Sequence, residues 1–482
     1  MIDFSRLIRQ CLPSMALGCF LFMSNVEGGA QAVRKLTLQE AQTLALQQAF
    51  SMQYAALDRT QAEREVKQVL ASGLPQINLV ADYSQYIDIP TQVVPADAFG
   101  FPDYLMNFLG GVAQETGVEL NAPNADPNSL TELQFGQSHT ANVGIQASQL
   151  VFSGSYFVGL RASQLFVEAR DRAIERTADE VMRQVAEAYY LAVGAEESLA
   201  MMQEALKLVS ESMEEVNQLN KAGFVDALAV NRLELNLTEI ETQVLQSERQ
   251  VLLTKALLAF QIGLPMTDKL ELENDLSDLM SDLKTGLEQV SQSFDPTTMP
   301  GIQEQQMYLD LAGLDIVNEQ AKGWPQIGAF YTNQGNAQRD AFNFFQTDQR
   351  WYPIQLWGLN VSMPLWTSFG GRQLVEKKRI QEERARIGLE QMTQAAWMEF
   401  ENAKANLSHA TAVYNNAERG ESIARKIYDQ SQIGFSEGLV SSFEWTEARN
   451  GLLKAQGNRL AASIDWLNAK VALQAAQSDF EL

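Results

Sequence analysis

The 482-residue chain is poor in reactive side chains: two cysteines, Cys11 and Cys19, and two histidines, His139 and His409. Both cysteines fall in the first 32 residues, so the rest of the chain can form no disulfide, thiolate metal site or thiol nucleophile. The histidines are far apart, and neither has carboxylates at ligand spacing, so no metal site or general base is expected of them. Lys and Arg number 36 against 60 Asp and Glu, a formal net charge of −24. Binding nucleic acid needs clustered Lys and Arg against phosphate, so that class is set aside. Beyond the N-terminus no run of 18 uninterrupted apolar residues occurs, and no transmembrane helix is expected. No nucleophile, acid and base constellation emerges either, so neither enzyme activity nor a cofactor is expected. With 13 prolines and 9% aromatics, the composition favours helix.

Residues 1–32 read as a secretory signal peptide: Arg6 and Arg9 open it, "CLPSMALGCFLFM" is a short apolar run, and Ala30-Gln31-Ala32 is a small-x-small cleavage site. Cleavage there removes two charges of each sign and both cysteines. A lipid-modified Cys19, preceded by Ala16-Leu17-Gly18, is the alternative.

The remainder writes one plan twice. "GLPQINLVADYSQY" begins at Gly73, and "GWPQIGAFYTNQ" begins at Gly323. Each follows a charged helical stretch and turns into alternation of apolar and polar residues. The first copy, 33–265, reads as helix to Ser72, strand at about 76–87, an insertion at 88–138, strand at about 140–152 and a long helix from Gly154. The turn "GFVDAL" at 223–228 and a further helix close it. The second copy, 301–482, reads as helix to Lys322, strands at about 326–333 and 355–366, a long helix, the turn "GLVSSF" at 438–443 and a last helix. Gly144 and Gly358 lie 214 apart, Gly223 and Gly438 215 apart, and the opening motifs 250 apart. The extra 36 residues therefore belong to the loop between the first two strands. Residues 266–300 separate the copies.

The strands alternate with period two. Ile77, Leu79, Ala81 and Tyr83 oppose Asn78, Asp82 and Ser84; Ala141, Val143, Ile145 and Ala147 oppose Asn142 and Gln146. Ile327, Ala329 and Tyr331 oppose Gln326 and Thr332, with Phe330 out of place, and Trp357, Leu359, Val361 and Met363 oppose Asn360 and Ser362. About ten residues of such alternation suit a tilted strand with lipid on one side and water on the other. Four strands are too few for a membrane barrel, which needs at least about eight. Any barrel must combine several chains. The long helices carry heptads: from Ile174, apolar residues step by four and three through Ala178, Val181, Val185 and onward to Val216, the pattern of a coiled coil.

Two repeats of helix, strand, loop, strand and long helix, closed by glycine-initiated turns, resemble the TolC family of bacterial outer-membrane channel-tunnels over essentially the whole chain after the signal peptide. The resemblance implies a fold that is mainly α with β: four transmembrane strands and long coiled-coil helices per protomer. Three protomers would make a 12-stranded barrel continued by an α-helical periplasmic tunnel. It implies a homotrimer in the outer membrane that contacts lipid and works with a periplasmic adaptor and an inner-membrane RND or ABC transporter in efflux or type I secretion. It places 266–300 in an equatorial belt around the tunnel.

Candidate site residues follow from this frame. Pro75, Pro325 and Pro364 mark changes between helix and strand, since proline cannot continue a helix. Gly223, Phe224, Val225, Gly438, Leu439 and Val440 form the far turns, where exposed apolar residues would meet the adaptor or merely pack the turn. Some relatives narrow the periplasmic entrance with an aspartate ring beyond the second turn. Here that turn reads Ser441-Ser442-Phe443-Glu444, so Asp226 and Glu444 are the gate candidates. The long insertion at 88–138 reads as an extracellular cap or plug, or as a local mini-core. "EKKRIQEERAR" at 376–386 reads as a solvated helix face, and the pair Gly370-Gly371 as turn residues. A periplasmic coiled-coil scaffold without a pore is the alternative function.

Overall fold

The computed structural model describes residues 34–95, 103–118, 130–134, 136–223, 225–281, 294–346 and 348–480. The expected signal peptide, Phe224 and parts of the 88–138 and 266–300 segments lie outside these residues.

In chain order the elements begin with β1 (Arg34–Leu36), α1 (Leu38–Gln48), α2 (Phe50–Ser72) and β2 (Gln76–Gln85). Then come β3 (Thr91–Pro95), α3 (Asp103–Thr116), β4 (Leu130–Gln134), β5 (His139–Phe152), α4 (Gly154–Lys221) and α5 (Ala227–Ile262). The remainder holds β6 (Leu270–Leu272), α6 (Leu276–Leu279), α7 (Pro300–Ala321), β7 (Gln326–Arg339), β8 (Tyr352–Ser362), α8 (Gly370–Ser436) and α9 (Ser442–Gln477).

Several bounds differ from the sequence reading, each for a local reason. The first helix is broken at Ala49, whose φ −57 and ψ 139 are extended; no proline or glycine announces it. β7 runs six residues past 333 because Asn336 still pairs with Tyr352 and Arg339 with His139. β8 starts at Tyr352 and ends at Ser362, leaving Pro364 in the connection to α8. The insertion is a second β-ribbon with a helix, β3 pairing β4 antiparallel. Gly370 and Gly371 belong to α8 itself; Ser368 (φ 52) and Phe369 (φ 65) take the left-handed conformation instead. A strained pair of this kind costs on the order of 1–3 kcal/mol per residue, and Phe369 is held edge-on to Trp366 at 5.0 Å.

Two compact units cut across chain order. One is drawn from residues up to Gln53, Thr177–Phe294 and from Glu399 onward; the other from Tyr54–Arg176 and Asp295–Met398.

The first unit is helical around a small parallel pair, β1 on β6, with Arg34 opposite Leu270 and Leu36 opposite Leu272. Its core gathers Ala41 and Ala45 of α1, Val185, Tyr189 and Val193 of α4, Leu258 and Ile262 of α5, Leu407 of α8 and Trp466 of α9. On α4 the buried stripe is wider than a heptad seam, since Met182, Ala186, Tyr190 and Val193 are buried as well as Val181, Val185 and Ala188. Packing on more than one side explains the extra width. Buried polar groups in this core have partners: the Tyr189 hydroxyl lies 3.0 Å from the Leu36 carbonyl oxygen and 3.1 Å from Asn274 Oδ1. Burial pushes the Tyr189 phenol up to about 12. Trp466 Nε1 donates to Thr411 Oγ1 at 3.0 Å.

The second unit contains a four-stranded antiparallel sheet in the order β2-β5-β7-β8. Leu79 faces Ile145, Ala147 faces Tyr331 and Tyr331 faces Trp357. Directly opposed residues point to the same side of a sheet, so the apolar sets of all four strands share one face. Asn78, Gln146 and Thr332 align on the other face, where Asn336 Nδ2 donates to Asn142 Oδ1 at 2.6 Å. Val80, Phe330, Ile354 and Leu356 are apolar residues on that same face; Phe330 lies across Gly358, where a Cβ would come within 2.8 Å of its ring.

Gly263 offers a test of the helical unit. It ends α5 at φ 89, and an added Cβ would lie 2.2 Å from the Gln48 carbonyl oxygen. Gly263→Ala is expected to destabilise by about 2–4 kcal/mol, the sum of positive-φ strain and a backbone clash. Gly223→Ala has the same kind of φ, 81, but open space around it, and should cost no more than about 1 kcal/mol. Thermal unfolding of the two variants measures the difference.

Candidate functional site: the open sheet and the helical turns

The sheet is the first functional surface. Ile77 and Leu79 on β2, Val143 and Ile145 on β5 and Trp357, Leu359 and Val361 on β8 are all exposed, Trp357 and Leu79 by 76% each. An apolar face this continuous has no soluble role within the chain. β2 and β8 are its outer strands, and each leaves one edge unpaired among the described residues.

The two junctions that lead into the sheet are built alike. In the first, Gly73 N donates to Leu70 O at 3.1 Å and Leu74 N to Ala71 O at 3.0 Å; in the second, Gly323 N donates to Gln320 O and Trp324 N to Ala321 O, both at 3.0 Å. Pro75 and Pro325 follow and force the chain out of helix. Both junctions meet the start of α4. A Cβ on Gly73 would collide with the Tyr156 ring at 2.5 Å, and one on Gly154 with Trp324 at 2.6 Å. Gly73 thus admits the Tyr156 ring and Gly154 the Trp324 ring, whereas a Cβ on Gly323 would meet only the Gln320 carbonyl oxygen, at 3.2 Å.

The far turns form the second surface. Gly223 (φ 81) and Gly438 (φ 73) are left-handed and have nothing within 4 Å of a Cβ position. The apolar residues beside them divide. Leu439 is 78% exposed, whereas Val440 is half-buried, its methyl lying 2.6 Å from a Cβ position on Gly434. Val225 packs on the cluster of Val209, Val216 and Leu233, and Asn220 Nδ2 donates to its carbonyl oxygen at 2.7 Å. Phe224 lies outside the described residues. The starts of α5 and α9 come together, Arg232 lying 5.5 Å from the Phe443 ring centroid.

Asp226 and Glu444, the gate candidates, both act as helix caps. Asp226 Oδ1 accepts from Ala229 N at 2.9 Å. Glu444 closes a capping box: its Oε2 accepts from Ser441 N at 3.0 Å, and Ser441 Oγ accepts from Glu444 N at 3.3 Å. The Ser441 backbone N–H, and then its hydroxyl, hold the Glu444 carboxyl below its ordinary value.

A polar cluster near these turns was not legible in the sequence. Arg449 is 2% exposed, and its Nη2 donates to Asn236 Oδ1, but Nε and Nη1 have no protein partner. Its guanidinium lies 5.5 Å from the Trp445 ring centroid, and Trp445 stacks on Phe435 at 4.8 Å. Burial pulls the Arg449 pKa down, partly offset by Tyr428. An arginine at heptad spacing in a charged helix reads as surface, and only the fold reveals it as core.

No group of His, Cys, Asp and Glu able to hold a metal occurs among the described residues. No described helix is long and apolar enough to cross a membrane, which leaves the strands untouched.

Residues 298–477 match the family model described as outer membrane efflux protein. Solved structures agree over nearly the whole length. The channel-forming protein CusC gives a TM-score of 0.66 at 15% identity, covering 91% of each chain. The CmeC outer membrane channel of Campylobacter jejuni gives 0.65 at 16%, covering 92% of this chain and 86% of the other. The MtrE outer membrane channel of Neisseria gonorrhoeae, in its open state, gives 0.65 at 16%, covering 91% and 88%. No curated protein sequence matches significantly. The shared fold bears out the architecture that the TolC resemblance implies, and the family-model match lies within the second repeat and the residues just before it.

The buried arginine yields a prediction. Asn236→Ala removes its only hydrogen-bond acceptor and should destabilise by about 2–4 kcal/mol, because an uncompensated buried charge remains. Asn236→Leu combined with Arg449→Met removes both groups and should recover most of that loss in denaturant unfolding. Glu444 yields another. A carboxylate with a depressed folded pKa stabilises above its unfolded value of about 4.3 and loses that contribution as pH falls through the folded pKa. Amide exchange in the first turn of α9 should therefore be faster in Glu444→Ala than in the parent at pH 7, and the difference should shrink as pH falls through the folded pKa of Glu444.

Proposed function

We propose that three copies of this chain form a 12-stranded outer-membrane barrel, continued by an α-helical periplasmic tunnel. The assembly serves as the exit duct of a tripartite efflux or type I secretion system. The observation that carries this reading is the sheet: apolar residues of four strands on one exposed face, a second face on which amides and hydroxyls of β2, β5 and β7 gather beside Val80, Phe330, Ile354 and Leu356, and an unpaired edge on each side among the described residues. Lipid cannot satisfy an open edge, and three such sheets joined edge to edge leave none. The face that carries the amides and hydroxyls then becomes the wall of a water-filled pore. A periplasmic scaffold without a pore would leave the apolar face uncovered.

The repeats at 33–265 and 301–482 each supply two strands and a coiled-coil pair, and 266–300 belongs to the equatorial belt. Gly223, Phe224, Val225, Gly438, Leu439 and Val440 face a periplasmic adaptor, which links the duct to an RND or ABC transporter of the inner membrane. Leu439 is the strongest contact candidate, because its side chain is uncovered where Val440 is not. Asp226 and Glu444 line the periplasmic entrance. A signal peptide ending at Ala32 delivers the chain to the periplasm.

The purified protein in detergent should run as a trimer and conduct ions in planar bilayers. A stable, membrane-inserted monomer would contradict the assembly. Leu439→Asp should leave trimer amounts in the outer membrane unchanged while export and adaptor cross-linking are lost; loss of the trimer itself would mean that Leu439 packs the turn.

A further inference from the structure

The β2–β5 hairpin does not end where the four-stranded sheet ends. Gln85 faces His139, Tyr86 N donates to Ser138 O at 2.8 Å, and further out Thr91 faces Gln134 and Pro95 faces Leu130. β3 and β4 thus prolong the hairpin as a two-stranded ribbon. Ten residues from Gln85 to Pro95 add about 30 Å at ~3.3 Å each. The outer end of this ribbon carries α3.

The sequence of α3, "DYLMNFLGGVAQET", places Leu105, Phe108, Leu109 and Val112 on one side by helical period and Asn107, Gly110, Gly111 and Gln114 on the other. Phe108 is 65% and Val112 42% exposed. A Cβ on Gly110 or Gly111 would meet nothing, so the glycines serve no close approach within the chain. Isolated helices of about 14 residues are marginal in water, and each glycine costs about 1 kcal/mol against alanine. Such a helix forms only when its apolar side is covered. Lipid headgroups are a poor cover, because helices that lie on anionic membranes carry Lys and Arg, and α3 has Asp103 and Glu115 but no basic residue. β2, from which the ribbon rises, is an edge strand, so each ribbon stands beside the joint with the next copy.

We propose that α3 is covered by the α3 helices of the other two copies, the three meeting on the threefold axis as an apolar cap over the outer mouth. The inference rests on the trimer proposed above. Twelve strands about 4.8 Å apart and tilted by about 40° close a barrel of radius about 12 Å, within reach of a ribbon of about 30 Å. The cap narrows the exit, and the low helix propensity of Gly110 and Gly111 keeps it separable when solute arrives.

The mature chain lacks cysteine, so one introduced thiol reports alone. Val112→Cys in purified trimers should oxidise to disulfide-linked pairs holding about two thirds of the chains, since three thiols around one axis leave one unpaired. Gln114→Cys, on the opposite side, should stay reduced. Adding Phe108→Asp to Val112→Cys should abolish the disulfide, and Phe108→Asp alone should raise conductance in planar bilayers. Gly110→Ala with Gly111→Ala, which strengthens the helix without removing its apolar side, should lower conductance. Native mass spectrometry reports the trimer independently of α3. Absence of the trimer would overturn the assembly reading. An intact trimer whose Val112→Cys does not cross-link, or in which a polarity-sensitive label at that position reports hydrocarbon, would overturn the cap alone.

Discussion

A backbone N–H or C=O that faces hydrocarbon has no water to bond to, and each unsatisfied group costs several kcal/mol. The four-stranded sheet answers this constraint in its interior, where β5 and β7 are paired on both sides, and fails it at β2 and β8. Within one chain nothing mends the failure. The remedy in the proposed assembly is repetition, and the chain has already used it once: two hairpins of the same plan lie side by side through β5 and β7. Extending the pattern across a protomer boundary asks for no new chemistry, only for the edge of β8 to meet the edge of the next β2.

In the proposed assembly the same constraint bears on the changes from helix to strand, which are tightly made. A frayed helix end carries free carbonyls and amides, which are costly beside lipid. At both junctions the last turn tightens with paired i to i−3 bonds before the proline. An aromatic ring then covers the turn: Tyr156 over Gly73 and Trp324 against Gly154. The proline of each motif ends the helix. Room for a ring comes from Gly73 in the first motif and, at the second junction, from Gly154 at the start of α4, which admits Trp324.

This division shows what the sequence could and could not disclose. Alternation in four strands and the paired Gly-x-Pro motifs were legible because they are local and periodic, and the registers place the apolar sets on a common face. Features fixed by long-range partners were hidden. The break at Ala49 occurs in a run without proline or glycine, beside the close approach of Gly263 to Gln48. The extension of β7 to Arg339 depends on its neighbours rather than on its own alternation. Arg449, buried against Trp445 and Asn236, looks in sequence like any charged helical residue.

The capping roles of Asp226 and Glu444 constrain how an entrance lined by them could operate. A carboxylate that accepts from the first-turn amides of a helix is favoured in its ionised form by those amides and by the helix dipole. For Glu444 the shift is downward, so the group stays charged throughout the physiological range. At Glu444 the turn therefore carries a negative charge that protonation does not switch in that range. Its position, however, is tied to the turn: moving Glu444 away from Ser441 gives up the box that starts α9. In the proposed duct, a widening at this turn would therefore carry Ser441 and the first turn of α9 together rather than swing the Glu444 side chain aside.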